Sequence, residues 1–341
     1  MAAHRRRLLI SRRRFVQAAG VAGLGVLAGC GRLPWQAPPS AKVYRLGYLT
    51  LATSALDAPR FVSLEQGLRD LGWTVGQNLT VERRYAEGQV ERLPDLAAEL
   101  VRLQPEVIVS IGSPTNLALK KATSTIPIVF AGDPDPVGSG LVASFAHPGG
   151  NLTGVTQMSP ELAGKRLELL KQAVPTAARV GTIFNVGQPG MVRENGETLV
   201  AAQALGVDVQ SLGVRTPAEL DTTFQDAVEG RLDGIVVIMD PLLVQSRDRL
   251  VALSTQSGVP TISGDGLFAA AGGFMSYGPN FDRQAQRAAY YVDRILGGTK
   301  PADLPVEQPT TFDLIINLQT AQALGLTIPQ HVLLQATEVI Q

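Results

Sequence analysis

The chain has 341 residues, of which 45% are hydrophobic and 18% charged, enough apolar material for one large or two medium-sized domains. This composition excludes a disordered or fibrous chain. Six arginines and no acid lie in residues 1–29, and the rest of the chain has 24 basic and 30 acidic residues. That remainder carries a formal charge of −6, which disfavours nucleic-acid binding, since phosphate neutralisation needs clustered Lys and Arg.

Residues 1–29 have the pattern of an export signal. Residues 11–17 read SRRRFVQ, an arginine pair followed by hydrophobic residues, which is typical of the twin-arginine route. The apolar stretch 18–28 is rich in Gly and Ala and shorter than the roughly 20 residues that span a bilayer. We therefore predict a twin-arginine signal peptide over 1–29.

The apolar stretch ends in the residues LAGC at 27–30, which resemble the bacterial lipobox. The resemblance implies that Cys30 is acylated and becomes the first residue of a lipoprotein anchored to the membrane in the periplasm or at the cell surface. Residues 30–42 contain three prolines and predict an extended tether. Cys30 is the only cysteine, so no intrachain disulfide can form. The alternative is a basic membrane anchor with an incidental cysteine.

From residue 43 the sequence alternates between strands and helices. Apolar runs predict strands at 43–49, 79–85, 107–111 and 126–130, and apolar residues at helical spacing predict helices near 61–71 and 93–103. A short helix is predicted at 115–123. After a turn-rich segment at 148–154 the alternation resumes with strands at 179–184, 207–214, 234–238 and 260–263. Helices are predicted between them at 191–205, 217–229 and 243–257.

Alternation of this kind predicts parallel sheets with right-handed crossovers. Because it occurs in two runs, we predict an α/β chain with two lobes of similar build, joined by a hinge at 148–154. Ligands of such sheets bind beyond the carboxyl ends of the strands, so the residues that follow each predicted strand are the candidates.

The candidates after the strands of the first run are Thr50, then Ser113, Thr115 and Asn116 at the start of a helix, then Asp133. The helix start offers hydroxyl and backbone N–H donors for a carboxylate, although simple N-capping accounts for it equally well. Asp133 is a candidate for a ligand ammonium, and turn formation by Asp-Pro is the alternative. The second run adds Asn185, Asp240, Asp265 and Tyr277, the last as a stacking partner or a core residue.

The usual constellations of catalysis are missing from the sequence. There are three histidines, His4, His147 and His331, and no HExxH, GxSxG or GxxxxGK[ST] motif. Cys30 is assigned to the lipid, which leaves no thiol nucleophile. We therefore predict no catalytic residue, no metal site and no cofactor.

Residues 276–329 are the most distinctive part of the chain. They contain SYG at 276–278, RAAYYVDRILGG at 287–298, KPADLPVE at 300–307 and INLQTAQALGLTIP at 316–329. With these motifs, residues 44–341 closely resemble the ABC transporter substrate-binding family that includes tryptophan/tyrosine-type binding lipoproteins. The resemblance implies a type I periplasmic-binding fold, with two doubly wound lobes of parallel sheets joined by three crossings. It places lobe one at 43–155 plus 277–311 and lobe two at 156–276 plus 312–341.

The resemblance also implies a function. We expect a monomeric solute-binding lipoprotein that captures an amino acid or small carboxylate, aromatic in the better-known relatives, and presents it to an ABC permease and its ATPase. Ser113 and Thr115 are expected to take the carboxylate, Asp133 or Asp240 the ammonium, and Tyr277 to flank the side chain. The alternatives are a ligand-sensing lipoprotein that signals to a membrane partner, and a secreted α/β enzyme.

Overall fold

The computed structural model describes residues 42–341, so the predicted signal peptide at 1–29, Cys30 and all of the tether except residue 42 lie outside the described residues. The first of its two sheets has five parallel strands in the order β2-β1-β3-β4-β5. These strands are β1 Tyr44–Thr50, β2 Leu79–Tyr85, β3 Val107–Ile111, β4 Ile128–Asp133 and β5 Leu152–Thr156. The helices between them are α1 Ser54–Asp70, α2 Leu93–Arg102 and α3 Ser113–Ala122.

The second sheet has seven strands in the order β12-β11-β10-β9-β8-β6-β7. They are β6 Arg179–Asn185, β7 Asp208–Val214, β8 Gly234–Val237, β9 Thr261–Ser263, β10 Met275–Gly278, β11 Asp313–Asn317 and β12 Glu338–Ile340. The remaining helices are α4 Ser159–Ala173, α5 Pro189–Leu205, α6 Leu220–Glu229, α7 Pro241–Gln245, α8 Arg247–Ser257, α9 Gly266–Ala270, α10 Phe281–Leu296, α11 Leu318–Ala323 and α12 Gln330–Leu333. Strands β10 and β11 pair antiparallel, and the other neighbours pair in parallel.

Both sheets are covered on both faces. Successive side chains of a strand point to opposite faces, and Ile108 and Val109 of β3 accordingly belong to two different hydrophobic clusters. Val236 and Val237 of β8 divide in the same way between the two clusters of the second sheet. All four side chains are fully buried. The predicted fold class, two doubly wound α/β lobes with parallel sheets, is confirmed.

The structure differs from the predicted elements at β5, at α4 and in the helix predicted over 243–257, and it adds α12 and β12, which the sequence did not predict. Residues 152–156 form strand β5 at the edge of the first sheet, although the sequence predicts a turn-rich crossing there. Gly154 is needed in this strand because a Cβ atom would collide with the backbone of Phe130. Helix α4 has no counterpart in the sequence prediction. The helix predicted over 243–257 is two helices, α7 and α8, which meet at Ser246.

The chain crosses between the sheets three times, after β5, after β10 and before β11. Helix α10, between the second and third crossings, packs against α1 of the first sheet. Strand β10 pairs with β11 as far as Gly278. The lobe boundary predicted at 276/277 therefore falls inside a strand of the second sheet, and the crossing follows Gly278.

Arg166 on α4 holds the ends of the first two crossings together. Its side chain is 1% exposed, and its guanidinium donates to the carbonyl oxygens of Tyr277 at 2.9 Å and Ser159 at 3.2 Å. The same guanidinium pairs with the buried carboxylate of Glu194 on α5. Burial raises the pKa of Glu194, and the positive charge of Arg166 opposes that rise.

The first and third crossings are also bonded to each other. The backbone N–H of Thr156 donates to the Glu307 carbonyl, and the N–H of Glu307 donates to the Gly154 carbonyl, both at 2.9 Å. Gln284 of α10 donates from Nε2 to the Thr156 carbonyl at 3.0 Å. These bonds bring the three crossings side by side and fix where the two sheets face each other. None of the helices within residues 42–341 is long and apolar enough to cross a membrane.

Candidate functional site

A cavity of about 310 Å³ lies at the carboxyl ends of the strands, and both lobes contribute to its wall. The first lobe contributes the ends of β1 and β3, the starts of α1 and α3, and the loop after β4. The second lobe contributes the starts of α5, α7 and α9. The wall includes Thr50, Arg60, Ser113 and Asp135 of the first lobe, Met191, Met239, Asp240, Gln245 and Asp265 of the second, and Phe281 beside the second crossing.

Asp133 organises the first-lobe side of the cavity without reaching it. Its side chain is fully buried, and its Oδ2 accepts hydrogen bonds from Ser113 Oγ at 2.9 Å and Asn116 Nδ2 at 2.8 Å. Its Oδ1 accepts from the backbone N–H of Asp135 at 3.0 Å. Burial raises the pKa of Asp133 to about 6, and these three hydrogen bonds act in the opposite direction.

On the second-lobe side, Asp240 and Asp265 bring carboxylates to the wall. Asp240 caps α7, with Oδ1 accepting from the N–H of Leu243 at 3.0 Å, and its Oδ2 accepts from Asn185 Nδ2 at 2.6 Å. Burial raises the pKa of Asp240. Both of its oxygens are therefore bound within the protein.

Asp265 differs from Asp240 in having an oxygen to spare. It caps α9 through Oδ1, which accepts from the N–H of Leu267 at 3.0 Å. Its Oδ2 is buried and has no hydrogen-bond partner among the described residues. A buried carboxylate oxygen without a donor is costly unless something supplies one. This oxygen is the strongest local signal for a ligand with a cationic or N–H donor group.

The structure brings four of the nine predicted site residues to the cavity, namely Thr50, Ser113, Asp240 and Asp265. The other five, Thr115, Asn116, Asp133, Asn185 and Tyr277, do not line it. Asn116 and Asn185 are bonded to the buried carboxylates of Asp133 and Asp240 respectively. Thr115 is fully buried beneath the wall. The Tyr277 ring packs with Phe312, 5.9 Å between centroids, at the margin of the second-lobe core.

Sequence reasoning missed Arg60, Asp135, Met191, Gln245 and Phe281 of the wall. The guanidinium of Arg60 lies over the Phe281 ring, with Cζ 4.9 Å from the ring centroid. These two residues are 221 positions apart, and no local sequence signal joins them. Asp135 lies in the predicted loop after β4. Of these five residues, it is therefore the one that the rule of examining residues after each strand came nearest to finding.

Two contacts join the lobes at the cavity. Arg193 of α5 forms an ion pair with Asp135 of the first lobe. The side-chain amide of Gln245 lies directly over Gly88, where a Cβ atom would collide with it. Gly138 also accommodates the ion pair, since a side chain there would meet both Asp135 and Arg193. The described conformation is therefore one in which the lobes touch on both sides of the cavity.

The surface of the cavity wall is mostly apolar, with three carboxylates and one guanidinium among the described residues that form it. Within residues 42–341, no group of three or more His, Cys, Asp or Glu side chains is arranged to hold a metal ion.

Comparison with known proteins gives consistent results. The family model described as ABC transporter substrate binding protein matches residues 53–340. The chain is 25% identical over 319 residues to a tyrosine-binding protein of Clostridioides difficile (strain R20291), with 90% of each chain covered. It is similar to an ABC domain of Streptococcus pneumoniae solved in complex with L-Trp, with 26% identity, a TM-score of 0.82, and 88% of this chain and 100% of the other covered. A conserved domain protein of Vibrio cholerae gives 30% identity and the same TM-score, over 87% of this chain and 100% of the other.

Replacement of Asp133 by Asn tests the burial of its carboxyl. Since the folded-state pKa of about 6 lies above the ordinary value of 3.8, protonation favours the folded state. That stability is complete below pH 3.8 and lost as the pH rises through 6. Between pH 5 and pH 7 the wild type should therefore lose about 1 kcal/mol of stability that Asp133→Asn does not lose, so the stability of the variant relative to the wild type should rise by that amount, measured by urea denaturation. Asp248→Asn, at a side chain 88% exposed, should show no such trend. A difference for Asp133→Asn that stays constant over this range would contradict the assignment.

Proposed function

Because the chain belongs to the ABC transporter substrate-binding protein family, we propose that it is the solute-binding lipoprotein of an ABC importer, closing its two lobes on an amino acid. Membership of this family makes it a binding protein and not an enzyme. The observation that carries the proposal is the cavity of about 310 Å³ between the lobes, with a wall drawn from both. Pockets for small molecules start at about this size.

The wall favours an amino acid with a large apolar side chain. The carboxylate of Asp265, whose Oδ2 has no hydrogen-bond partner among the described residues, provides negative charge for an α-ammonium group. Met191, Met239 and Phe281 provide apolar and polarisable surface for the side chain. A relative named for tyrosine binding and another solved with L-Trp make these two amino acids the first ligands to try.

Closure couples binding to transport in this proposal. A ligand that contacts both lobes does so only when they are closed, so it shifts the population toward the closed state. The Arg193–Asp135 ion pair also joins the two lobes, so it favours the closed state as well. The closed form is what a permease and its ATPase would receive.

The export signal and the anchor are part of the proposal. They are supported by the SRRRFVQ segment, the short apolar stretch and the LAGC sequence before the described residues. We propose that the twin-arginine route exports the chain and that acylated Cys30 anchors it, in the periplasm or at the cell surface.

The anchor is tested by Cys30→Ser in the full chain. Without an acylated thiol the mature protein has no lipid chains to bury in the bilayer, so it should move from the membrane fraction to the soluble one on fractionation. The wild type should incorporate labelled palmitate and the variant should not. A wild-type protein that is soluble and unlabelled would rule out the anchor.

The ligand class is tested by calorimetric titration of the purified protein with amino acids. Asp265→Asn keeps the cap on α9 but removes the charge, so the affinity for tyrosine or tryptophan should fall about tenfold or more, as expected for a lost charge-assisted hydrogen bond. The control is Asp248→Asn, which should bind as the wild type does. If the wild type binds no amino acid, the ligand class is wrong. If Asp265→Asn binds amino acids with the affinity of the wild type, the ligand class stands and only the role given to Asp265 is wrong.

Arg193→Gln tests the contribution of the ion pair to closure. Breaking it should weaken ligand binding about two- to fivefold, mainly through faster dissociation measured by stopped flow, because a partly exposed pair contributes about 0.2–1 kcal/mol. The affinity of the variant should also depend less on salt concentration.

Arg179→Gln is the matched control for Arg193→Gln. Arg179 has the same exposed fraction, 47%, but its partner Asp208 lies on the neighbouring strand of the same sheet. Its loss should leave ligand dissociation unchanged. Equal effects of the two substitutions would mean that the cross-lobe pair has no particular role in closure.

A further inference from the structure

The start of α3 has fewer donors for a ligand carboxylate than the sequence predicts. The hydroxyl proton of Ser113 is committed to Asp133, at 2.9 Å, and the buried Thr115 does not reach the cavity. Pro114 has no N–H, and the N–H of Asn116 donates to the carbonyl of Gly112 at 3.0 Å. Of the first turn, the backbone N–H groups of Ser113 and Thr115 remain as donors. An anionic ligand group would therefore gain from a cationic partner elsewhere in the wall.

Arg60 on α1 has the chemistry of that partner. Of the described residues that form the wall, it is the one with a cationic side chain. No carboxylate within residues 42–341 lies within ion-pair distance of its guanidinium, whereas Arg84, Arg166, Arg193 and Arg287 all have one. Its positive charge acts on the buried Asp57 carboxyl three residues earlier in α1, where it opposes the rise in pKa that burial causes. The guanidinium is not fixed by a short ion pair, so its N–H donors can turn to a ligand.

Phe281 holds the guanidinium in place. The ring lies 4.9 Å from Arg60 Cζ and is itself part of the wall. An arginine stacked on an aromatic ring loses part of its rotational freedom while its N–H edge stays open, which suits a planar, two-pronged contact with a carboxylate. Since Phe281 begins α10 directly after the second crossing, this contact lies beside the hinge.

We propose that Arg60, supported by Phe281, is the carboxylate subsite of the cavity and determines that the protein selects amino acids over the corresponding amines. This assignment rests on the proposed function. The ligand carboxylate bonds to Arg60 of the first lobe and its ammonium to Asp265 of the second. A zwitterion thereby connects the two lobes through its own opposite charges, whereas an amine satisfies only the second lobe.

The test compares paired probes, L-tyrosine with tyramine and L-tryptophan with tryptamine, by calorimetry on the wild type and on Arg60→Gln. The wild type should prefer each amino acid over its amine by about tenfold or more. Arg60→Gln should lose at least about tenfold in affinity for the amino acid and less than about threefold for the amine, so that the preference disappears. Arg60→Lys keeps the positive charge but lacks the planar, two-pronged guanidinium, so its amino-acid affinity should lie between those of the wild type and Arg60→Gln.

Two further variants separate recognition from folding. Arg83→Gln removes an arginine whose Cζ also lies over a phenylalanine ring, that of Phe61, at 4.5 Å, but outside the cavity wall. It should bind every probe as the wild type does. Phe281→Leu removes the stack and keeps the charge, and it should lower amino-acid affinity less than Arg60→Gln does. Thermal denaturation of each variant reports its folding.

The outcomes distinguish the subsite from the proposed function. If the wild type binds the amino acids and Arg60→Gln binds them equally well, or loses amino acid and amine alike, Arg60 does not read the carboxylate while the proposed function stands. If the wild type binds none of the four probes, the two amino acids that the proposed function puts first are not its ligands, and this subsite fails with them.

Discussion

The geometry of the cavity depends on one buried ion pair, that of Arg166 with Glu194. The two side chains are 1% and 3% exposed, and Arg166 also bonds the carbonyl oxygens at the ends of two crossings. A charge buried at that depth is tolerated only with its partner in place, and loss of one partner costs about 3–5 kcal/mol. The pair therefore fixes α4, α5 and the end of β10 relative to one another. Arg193 directly precedes Glu194 on α5. The helix that bonds to Arg166 therefore also carries the arginine that pairs with Asp135 across the gap between the lobes.

The carboxylates near the cavity differ in how fully the protein satisfies them, and that difference decides their roles. Asp133 accepts three hydrogen bonds and Asp240 accepts two, so each is a fixed structural group. Asp265 accepts one hydrogen bond, and its Oδ2 has no partner among the described residues. Since a buried polar atom without a partner is unfavourable, only Asp265 gains a hydrogen bond that it lacks when a donor arrives. Arg60 has the corresponding role in the first lobe, because it is a cation that forms no short ion pair with a carboxylate of residues 42–341.

Most of the fold was predictable because its signals are local. Buried parallel strands such as β3 are short β-branched runs, and the leucine stripes of α1 and α2 have helical spacing. Strand β5 was missed because Gly154 resembles a turn residue, and only the approach of Phe130 shows why glycine stands there.

Reading the residues after each strand found four that line the cavity. It could not tell Asp265 from Asp133, since both follow strands and differ only in partners supplied from elsewhere. It could not find Arg60, which lies within a helix and enters the wall through its packing with Phe281.

The loop after β4 shows how one short segment serves both structure and closure. Asp133 points inward, and by accepting the N–H of Asp135 it orients the next carboxylate toward the opening. Asp135 then accepts the N–H of Gly138 at 2.9 Å with Oδ1 and pairs with Arg193 through Oδ2. The carbonyl of Asp133 accepts from Gln157 N at 2.7 Å, which ties the same loop to the first crossing. The loop is thus bonded both to itself and to the first crossing, so the Asp135 carboxylate is held in place from the first-lobe side. The pair with Arg193 is the contact of Asp135 that a separation of the lobes would break.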